Sequence, residues 1–246
     1  MRLQRSQMSK ILAMDYSRYS QRFHDGSDKH FEEVSRLDYE SLARYLPAKG
    51  GKILDLGCGA GFALGGLRAN NCSNITGIDS DVAQIEAAKS RGLNVHLVES
   101  EQTIEYIRRT APYDFIYCLD VLEHIPTASL MPLLKEIKAS LAAGSSFVCR
   151  VPNCDSVIAS RYRYNDWTHQ TQFGDASLDF VLFNAGFTNI RIFETPDPLR
   201  TNKAALRWVL RRITRGFRRV ELVSELRWSE AARIPLSPNI WAVADV

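Results

Sequence analysis

Cysteine is scarce and unpatterned in this chain. The five residues Cys58, Cys72, Cys118, Cys149 and Cys154 are odd in number and show no C-x-x-C spacing. That pattern argues against a disulfide framework or a zinc ribbon and for reduced thiols. Long hydrophobic runs are missing too: none approaches the ~18 apolar residues that a membrane-spanning helix needs. The first ten residues, Met1–Lys10, are polar and lack an apolar leader segment, so a cytoplasmic protein is expected. Charge of one sign is not in excess. Lys+Arg 31 against Asp+Glu 28 leaves +3, too little to argue for nucleic acid. Internal repeats and low-complexity segments are absent. What remains is 246 residues, 45% of them hydrophobic, enough for one large α/β domain with a small appendage.

Short apolar runs alternate with helical patterns. Strands are predicted at Lys52–Leu56, Asn74–Asp79, Asn94–Val98, Asp114–Leu119, Ser146–Val151, Phe187–Phe193 and Asn239–Ala244. Helical patterns fit Phe62–Asn70, Val82–Ser90, Thr103–Thr110, Ala128–Leu141 and Ala176–Ala185, the last ending at Gly186. Asp81 and Thr127 read as N-caps of the second and fourth of these. Uninterrupted apolar strands separated by helices imply a parallel sheet covered on both faces. Ligands of such sheets bind at the carboxyl ends of the strands, where the strand order reverses. Residues 1–47 read as a polar helical cap, with aromatics at Tyr16, Tyr19, Phe23, Phe31, Tyr39 and Tyr45. Residues 48–246 read as the main domain, in which 199–236 form a basic helical insert.

The chemistry should lie at the glycine-rich turn Asp55-Leu56-Gly57-Cys58-Gly59-Ala60-Gly61, between the first strand and the first helix of the main domain. Glycines there permit a sharp turn and close approach of a ligand. The spacing is G-x-G-x-G, with Phe62 in the sixth place, which weakens a dinucleotide reading. The second strand ends in Asp79, whose carboxylate can accept from both hydroxyls of a ribose. Ser80 follows it. After the third strand, Glu101 or Gln102 can reach an adenine amino group.

Residues 52–151 resemble a class I S-adenosylmethionine (SAM) methyltransferase. Lys52–Gly61 resembles the family's first motif and Ile78-Asp79 its acidic second motif. Tyr113–Ile125 resembles its fourth-strand motif, in the branch ending Glu123-His124. The resemblance implies a Rossmann-like seven-stranded sheet with an antiparallel last strand, and SAM as cofactor. Asp55, Gly57, Cys58, Gly59, Gly61, Asp79, Ser80, Gln102, Leu119 and Asp120 would surround that cofactor. Val151-Pro152-Asn153, Asp166-Trp167-Thr168-His169 and Phe173–Leu178 resemble the branch encoded with bacterial polysaccharide and sugar-modifying enzymes. That branch commonly has Thr where Gly174 stands, which leaves the next helix cap to Asp175.

Methyl transfer from a sulfonium to a hydroxyl needs alignment and a base. His169, oriented by Asp166, and His124 are the candidate bases; each could instead be a structural histidine pinning a loop. Asp120, Glu123 and His124 could place two carboxylates and an imidazole on one helix start, but local hydrogen bonding explains them as well and no metal ligand set is assigned. The resemblance to ubiquinone-pathway O-methyltransferases implies magnesium at positions matching Asp120, Glu123 and His124, as an alternative quinone- or phenol-type reading. A SAM-binding regulatory module without turnover is the alternative of another class. The Asn/Asp-Pro-Pro-aromatic turn that usually accompanies methylation of base amino groups is absent, since Leu119-Asp120-Val121-Leu122 stands in its place. Specific nucleic acid is therefore not an expected partner.

The remaining signals lie outside that core. Tyr16 or Tyr19 could face the sulfonium, or simply pack. Leu206, Leu210, Ile213, Phe217 and Val220 recur at spacings of four and three, amid Arg200, Lys203, Arg207, Arg211, Arg212, Arg215, Arg218 and Arg219. Such a helix either packs on the sheet with a solvated basic face, or meets an anionic membrane surface through 200–220. A phosphorylated or lipid-linked sugar would suit the same arginines. The expected acceptor is accordingly a small molecule or glycan bearing a hydroxyl.

Overall fold

The computed structural model describes residues 27–48, 50–195 and 202–246. Tyr16, Tyr19, Phe23 and Arg200 lie outside them. Helix α1 (Asp28–Leu42) leads into a seven-stranded sheet: β1 (Ile53–Leu56), β2 (Ile75–Asp79), β3 (Val95–Leu97), β4 (Tyr113–Leu119), β5 (Leu141–Pro152), β6 (Thr188–Glu194) and β7 (Asn239–Asp245). The strand order is β3-β2-β1-β4-β5-β7-β6. β1 to β5 run parallel, and β7 is antiparallel to both β5 and β6. Order therefore reverses between β1 and β4, which sets the ligand crevice at their carboxyl ends.

The connecting helices are α2 (Phe62–Ala69), α3 (Val82–Ser90), α4 (Thr103–Thr110), α5 (Thr127–Ser140), α6 (Ala159–Asn165), α7 (Asp175–Ala185), α8 (Asn202–Glu225) and α9 (Trp228–Ala231). Alternate residues of the central strands enter opposite cores. Leu54, Ile116, Phe147 and Cys149 pack beneath α4, α5 and α7. Ile53, Phe115, Val148 and Trp241 pack against Leu64, Leu67, Ile85 and Leu42 on the other face. The uninterrupted apolar strands are explained by this double coverage.

α1 belongs to the second core. Phe31 packs on Phe62, ring centroids 5.1 Å apart, and the Arg91 guanidinium lies over the Phe31 ring at 4.4 Å. Tyr39 and Tyr45 join the same cluster as partly buried packing residues.

Four local expectations change. Thr127 is the first residue of α5 and Pro126 is its N-cap, because the fixed φ of proline (−53° here) suits that entry. Asp175 is not the cap of α7. Gly174 holds that position, and the Ser177 hydroxyl accepts from its backbone N–H at 2.9 Å. The stretch after Pro152, for which neither strand nor helix is predicted above, contains α6, a short helix without an apolar period. Tertiary contacts tie it down, including Gln172 Nε2 donating to the Ala159 carbonyl at 2.9 Å. In α8 the apolar stripe does not pack on the sheet but faces away from it, as developed below.

Candidate active site

The glycine turn leaves β1 with Gly57 at φ +73°, Gly59 at +51° and Gly61 at +82°, a left-handed backbone that side chains disfavour. A Cβ at Gly57 would stand 2.4 Å from Val121 Cγ2, and one at Gly61 2.3 Å from Leu93 Cδ1. Bare backbone at these positions is thus demanded twice, by conformation and by space. The N–H groups of Gly57 and Cys58 both reach the Ile78 carbonyl, at 2.8 and 3.0 Å, which locks the turn to the end of β2. Cys58 packs its side chain in the second core against Gly77, and its thiol donates to the Gly59 carbonyl of the turn at 3.7 Å.

Asp79 ends β2. Its Oδ2 accepts from the Gly59 N–H at 2.9 Å and its Oδ1 from the Asp81 N–H at 2.8 Å. Burial pushes its carboxyl above the usual range, and these N–H donors pull it back. Two donors aim a carboxylate that keeps further lone pairs. Asp81 caps α3, accepting from Ala83 and Gln84 at 2.7 and 3.1 Å, and so frees Asp79 from that duty. Asp55 is buried in β1 beside Tyr117 of β4. Its carboxyl is held well above the ordinary range by burial, with Asp38 and Asp79 adding to the effect. Ser80 is exposed past β2, and Gln102 is exposed on a single 3-10 turn past β3. Leu119 is half-buried at the end of β4.

Asp120 follows with φ +58°. Its Oδ2 accepts from Arg150 Nε and Nη2, at 3.0 and 2.5 Å. Arg150, near the end of β5, also donates from Nη1 to Asp38 of α1 at 2.9 Å. One guanidinium thus joins the first described helix to the tip of β4, two of its nitrogens on one Asp120 oxygen and the third on Asp38. Sequence reasoning missed Arg150 and Asp38. No local pattern marks them, since they stand 112 positions apart.

The acceptor side is built by a segment that folds back onto β4. The N–H groups of Gln170 and Thr171 donate to the Glu123 carbonyl at 2.7 and 3.2 Å. This brings His169 to His124, edge to face, with ring centroids 4.6 Å apart. Glu123, His124 and His169 each offer a donor atom, all within 4.8 Å of one another. Glu123 is 1% exposed, and neither carboxylate oxygen has a hydrogen-bond partner. Burial, then the Asp120 charge, raises its pKa well above the ordinary value. Both imidazoles are held below their usual range by burial, so they are neutral near pH 7.

Asp166 organises this corner through a hydroxyl. Thr168 Oγ1 donates to Asp166 Oδ1 at 2.6 Å, and the same oxygen lies 2.7 Å from His124 Nδ1. With its proton given to the carboxylate, Thr168 accepts from Nδ1–H, and that fixes the lone pair of His124 on Nε2. Asp166 Oδ2 also lies 3.6 Å from His169 Nε2. At that distance, with His169 neutral, Asp166 makes neither a hydrogen bond nor an ion pair to it. The shorter contacts run through Thr168 to His124. Behind the loop, the wholly buried Asn153 donates from Nδ2 to the carbonyls of Pro235 and Ser237, at 2.7 and 2.9 Å, anchoring the approach to β7.

A glycine turn locked to an aimed strand-end carboxylate, beside a polar corner at β4, is the arrangement of a nucleoside-binding transferase. Residues 29–192 match the family described as Methyltransferase domain. The chain belongs to that family and is a class I SAM-dependent methyltransferase domain, with SAM as methyl donor. Among curated proteins it is similar to the ubiquinone biosynthesis O-methyltransferase of Erwinia tasmaniensis, 29% identical over 112 residues, covering 42% of this chain and 44% of that protein. The protein of the same description from Rickettsia canadensis is 30% identical over 128 residues, covering 50% and 47%. The match spans less than half the length of these two relatives. Among solved structures, a SAM-dependent methyltransferase from Archaeoglobus fulgidus shares the fold with TM-score 0.65 at 19% identity, over 95% of this chain and all of that one. Phosphoethanolamine N-methyltransferase 2 of Haemonchus contortus, in complex with SAM, does so with TM-score 0.58 at 13% identity, over 95% and 60%.

Proposed function

We propose that this chain transfers the methyl group of SAM to a hydroxyl of a small acceptor held at the Glu123–His124–His169 corner. The observation that carries the reading is the relay Asp166–Thr168–His124, which leaves a neutral imidazole with its lone pair on a defined nitrogen. The acceptor hydroxyl gives its proton to that imidazole, its oxygen takes the methyl carbon in line, and the C–S bonding pair returns to sulfur. Gly57, Gly59 and Gly61 admit the cofactor, Asp79 holds its ribose, and Asp120 borders the transferred methyl. A sugar hydroxyl or a phenol suits this chemistry, and the curated relatives support oxygen rather than nitrogen as the acceptor atom.

A second reading adds a divalent cation. It is favoured by the orphaned, buried Glu123 carboxylate facing two neutral imidazoles, a donor set of the 2-His-1-carboxylate kind. Glu123, His124 and His169 would hold the ion, while Asp120 gives Oδ2 to Arg150 and keeps a buried Oδ1 without a hydrogen-bond partner. Such an ion would lower the pKa of a bound acceptor hydroxyl.

Sugar and phenol panels incubated with methyl-labelled SAM test the proposal by mass spectrometry. Label is expected in one panel, with Asp79→Ala abolishing SAM binding and His124→Ala lowering turnover at least about tenfold. Calorimetric titration with magnesium and manganese separates the readings: heat that Glu123→Gln removes supports the ion. SAM binding with no labelled product from any panel would leave a SAM-binding module without turnover.

A further inference from the structure

α8 is a 24-residue helix inserted between β6 and β7, where the two antiparallel strands need only a short connection. Its orientation is the reverse of an ordinary surface helix. Leu206, Leu210, Ile213, Phe217 and Val220 are exposed by 63, 53, 51, 74 and 69%. At about 100° per residue they form one stripe. The half-buried positions Trp208, Arg211, Arg215, Arg218, Arg219 and Leu222 lie on the opposite side of the helix. That inward row is tied to the body: Arg215 faces Glu194 at 3.8 Å, and Arg219 donates to the Ala231 carbonyl. The arginine row is seated on the domain, and the apolar stripe is turned outward. Scattered apolar residues on a surface are ordinary, but an unbroken stripe of five is not.

The chemistry around the stripe selects what covers it. From Arg207 to Arg219 the helix carries no acid; four of its six arginines belong to the inward row, and Glu221 and Glu225 are exposed in the turns beyond. Arg207 and Arg212 are exposed on the two flanks of the stripe. An apolar ridge between cations complements a surface with negative headgroups above an apolar interior. The neighbouring segment continues it. Val157 lines one groove with Phe217, and Val157, Tyr164 and Trp167 are exposed by 52, 78 and 84%. Tyr164 and Trp167 belong to the stretch that carries Asp166, Thr168 and His169. Tyrosine and tryptophan are the side chains suited to the boundary between headgroups and acyl chains. No described helix is long and apolar enough to cross a bilayer, so the contact is one of lying on the surface.

We propose that the outward stripe of α8, with the exposed aromatics of the Val157–Trp167 segment, docks on an anionic lipid surface and turns the acceptor side of the site toward it. This proposal goes beyond the methyl-transfer chemistry and does not depend on which acceptor is methylated.

Co-sedimentation of the full chain with phosphatidylcholine vesicles, with and without phosphatidylglycerol, tests it. Binding is expected only to the anionic vesicles at low salt, and high salt should release the protein. The variant Leu210→Glu/Phe217→Glu should lose binding, and each of Arg207→Gln and Arg212→Gln should weaken it about fivefold. These four positions are on the outward side or the flanks, so SAM affinity by calorimetry should stay at the wild-type value. Equal binding to neutral vesicles, or none to anionic ones, would overturn the proposal. So would a wild-type dimer in sedimentation velocity that Phe217→Glu dissociates while no vesicle binds, because the stripe would then be an interface between copies.

Discussion

The Thr168 hydroxyl stands 2.7 Å from Nδ1 of His124, joining residues 44 positions apart through a single oxygen that also serves Asp166. Thr168 touches neither cofactor nor acceptor in this reading and acts as a positioning residue. Thr168→Val is expected to lower turnover about tenfold or more while SAM affinity is unchanged. Thr168→Ser, which keeps the hydroxyl, should restore most of it. Equal turnover in the valine variant would remove the relay from the mechanism.

Arg150 makes a different kind of prediction, because it supports the fold as well as the site. Arg150→Met leaves Asp38 buried without its cation and removes the guanidinium that pairs with Asp120. The expected loss is about 2–4 kcal/mol in denaturant unfolding, below the cost for a wholly buried pair, because the Asp120 side chain is 37% exposed. Adding Asp38→Leu should recover part of that loss, since the unpaired buried charge is then gone. A double variant no more stable than the single would mean that Asp38 does not depend on Arg150.

Asp55 should reveal itself through pH. Burial holds its folded-state carboxyl well above the unfolded value. Its contribution to stability is therefore fully present below about pH 4 and is lost as pH rises through the raised value. Asn, which cannot ionise, avoids that loss. Asp55→Asn is expected to raise Tm near neutral pH, with the gain shrinking toward pH 4. A gain independent of pH would show that ionisation is not its source.

The cofactor end was legible because its determinants are local. Gly57 to Gly61 occupy five positions, and Asp79 follows at the tip of the next strand, so spacing alone exposed the turn and its acid. The alternation of apolar runs gave the parallel sheet for the same reason. Helix starts were less secure: Pro126 and Gly174 hold the caps expected at Thr127 and Asp175. The residue that fills a cap depends on where the chain enters the helix, not only on its side chain.

The acceptor end was legible as a parts collection. His124, Asp166 and His169 were visible as chemistry, and Glu123 as a possible ligand. Their arrangement was decided by backbone bonds from Gln170 and Thr171 to the Glu123 carbonyl, which no periodicity encodes. Arg150 gave no signal, because an arginine at a strand end acquires meaning only from the carboxylates that reach it.

By itself, the order of residues determined a parallel α/β sheet, the glycine turn with its strand-end acid and the amphipathic character of 206–220. Those properties follow from short-range spacing and from the periods of strand and helix. Tertiary structure alone decided that His169 meets Glu123, that Thr168 sets the lone pair of His124, and that α8 turns its apolar stripe outward. A period shows that a face exists; only packing and ion pairing between distant segments choose where that face points.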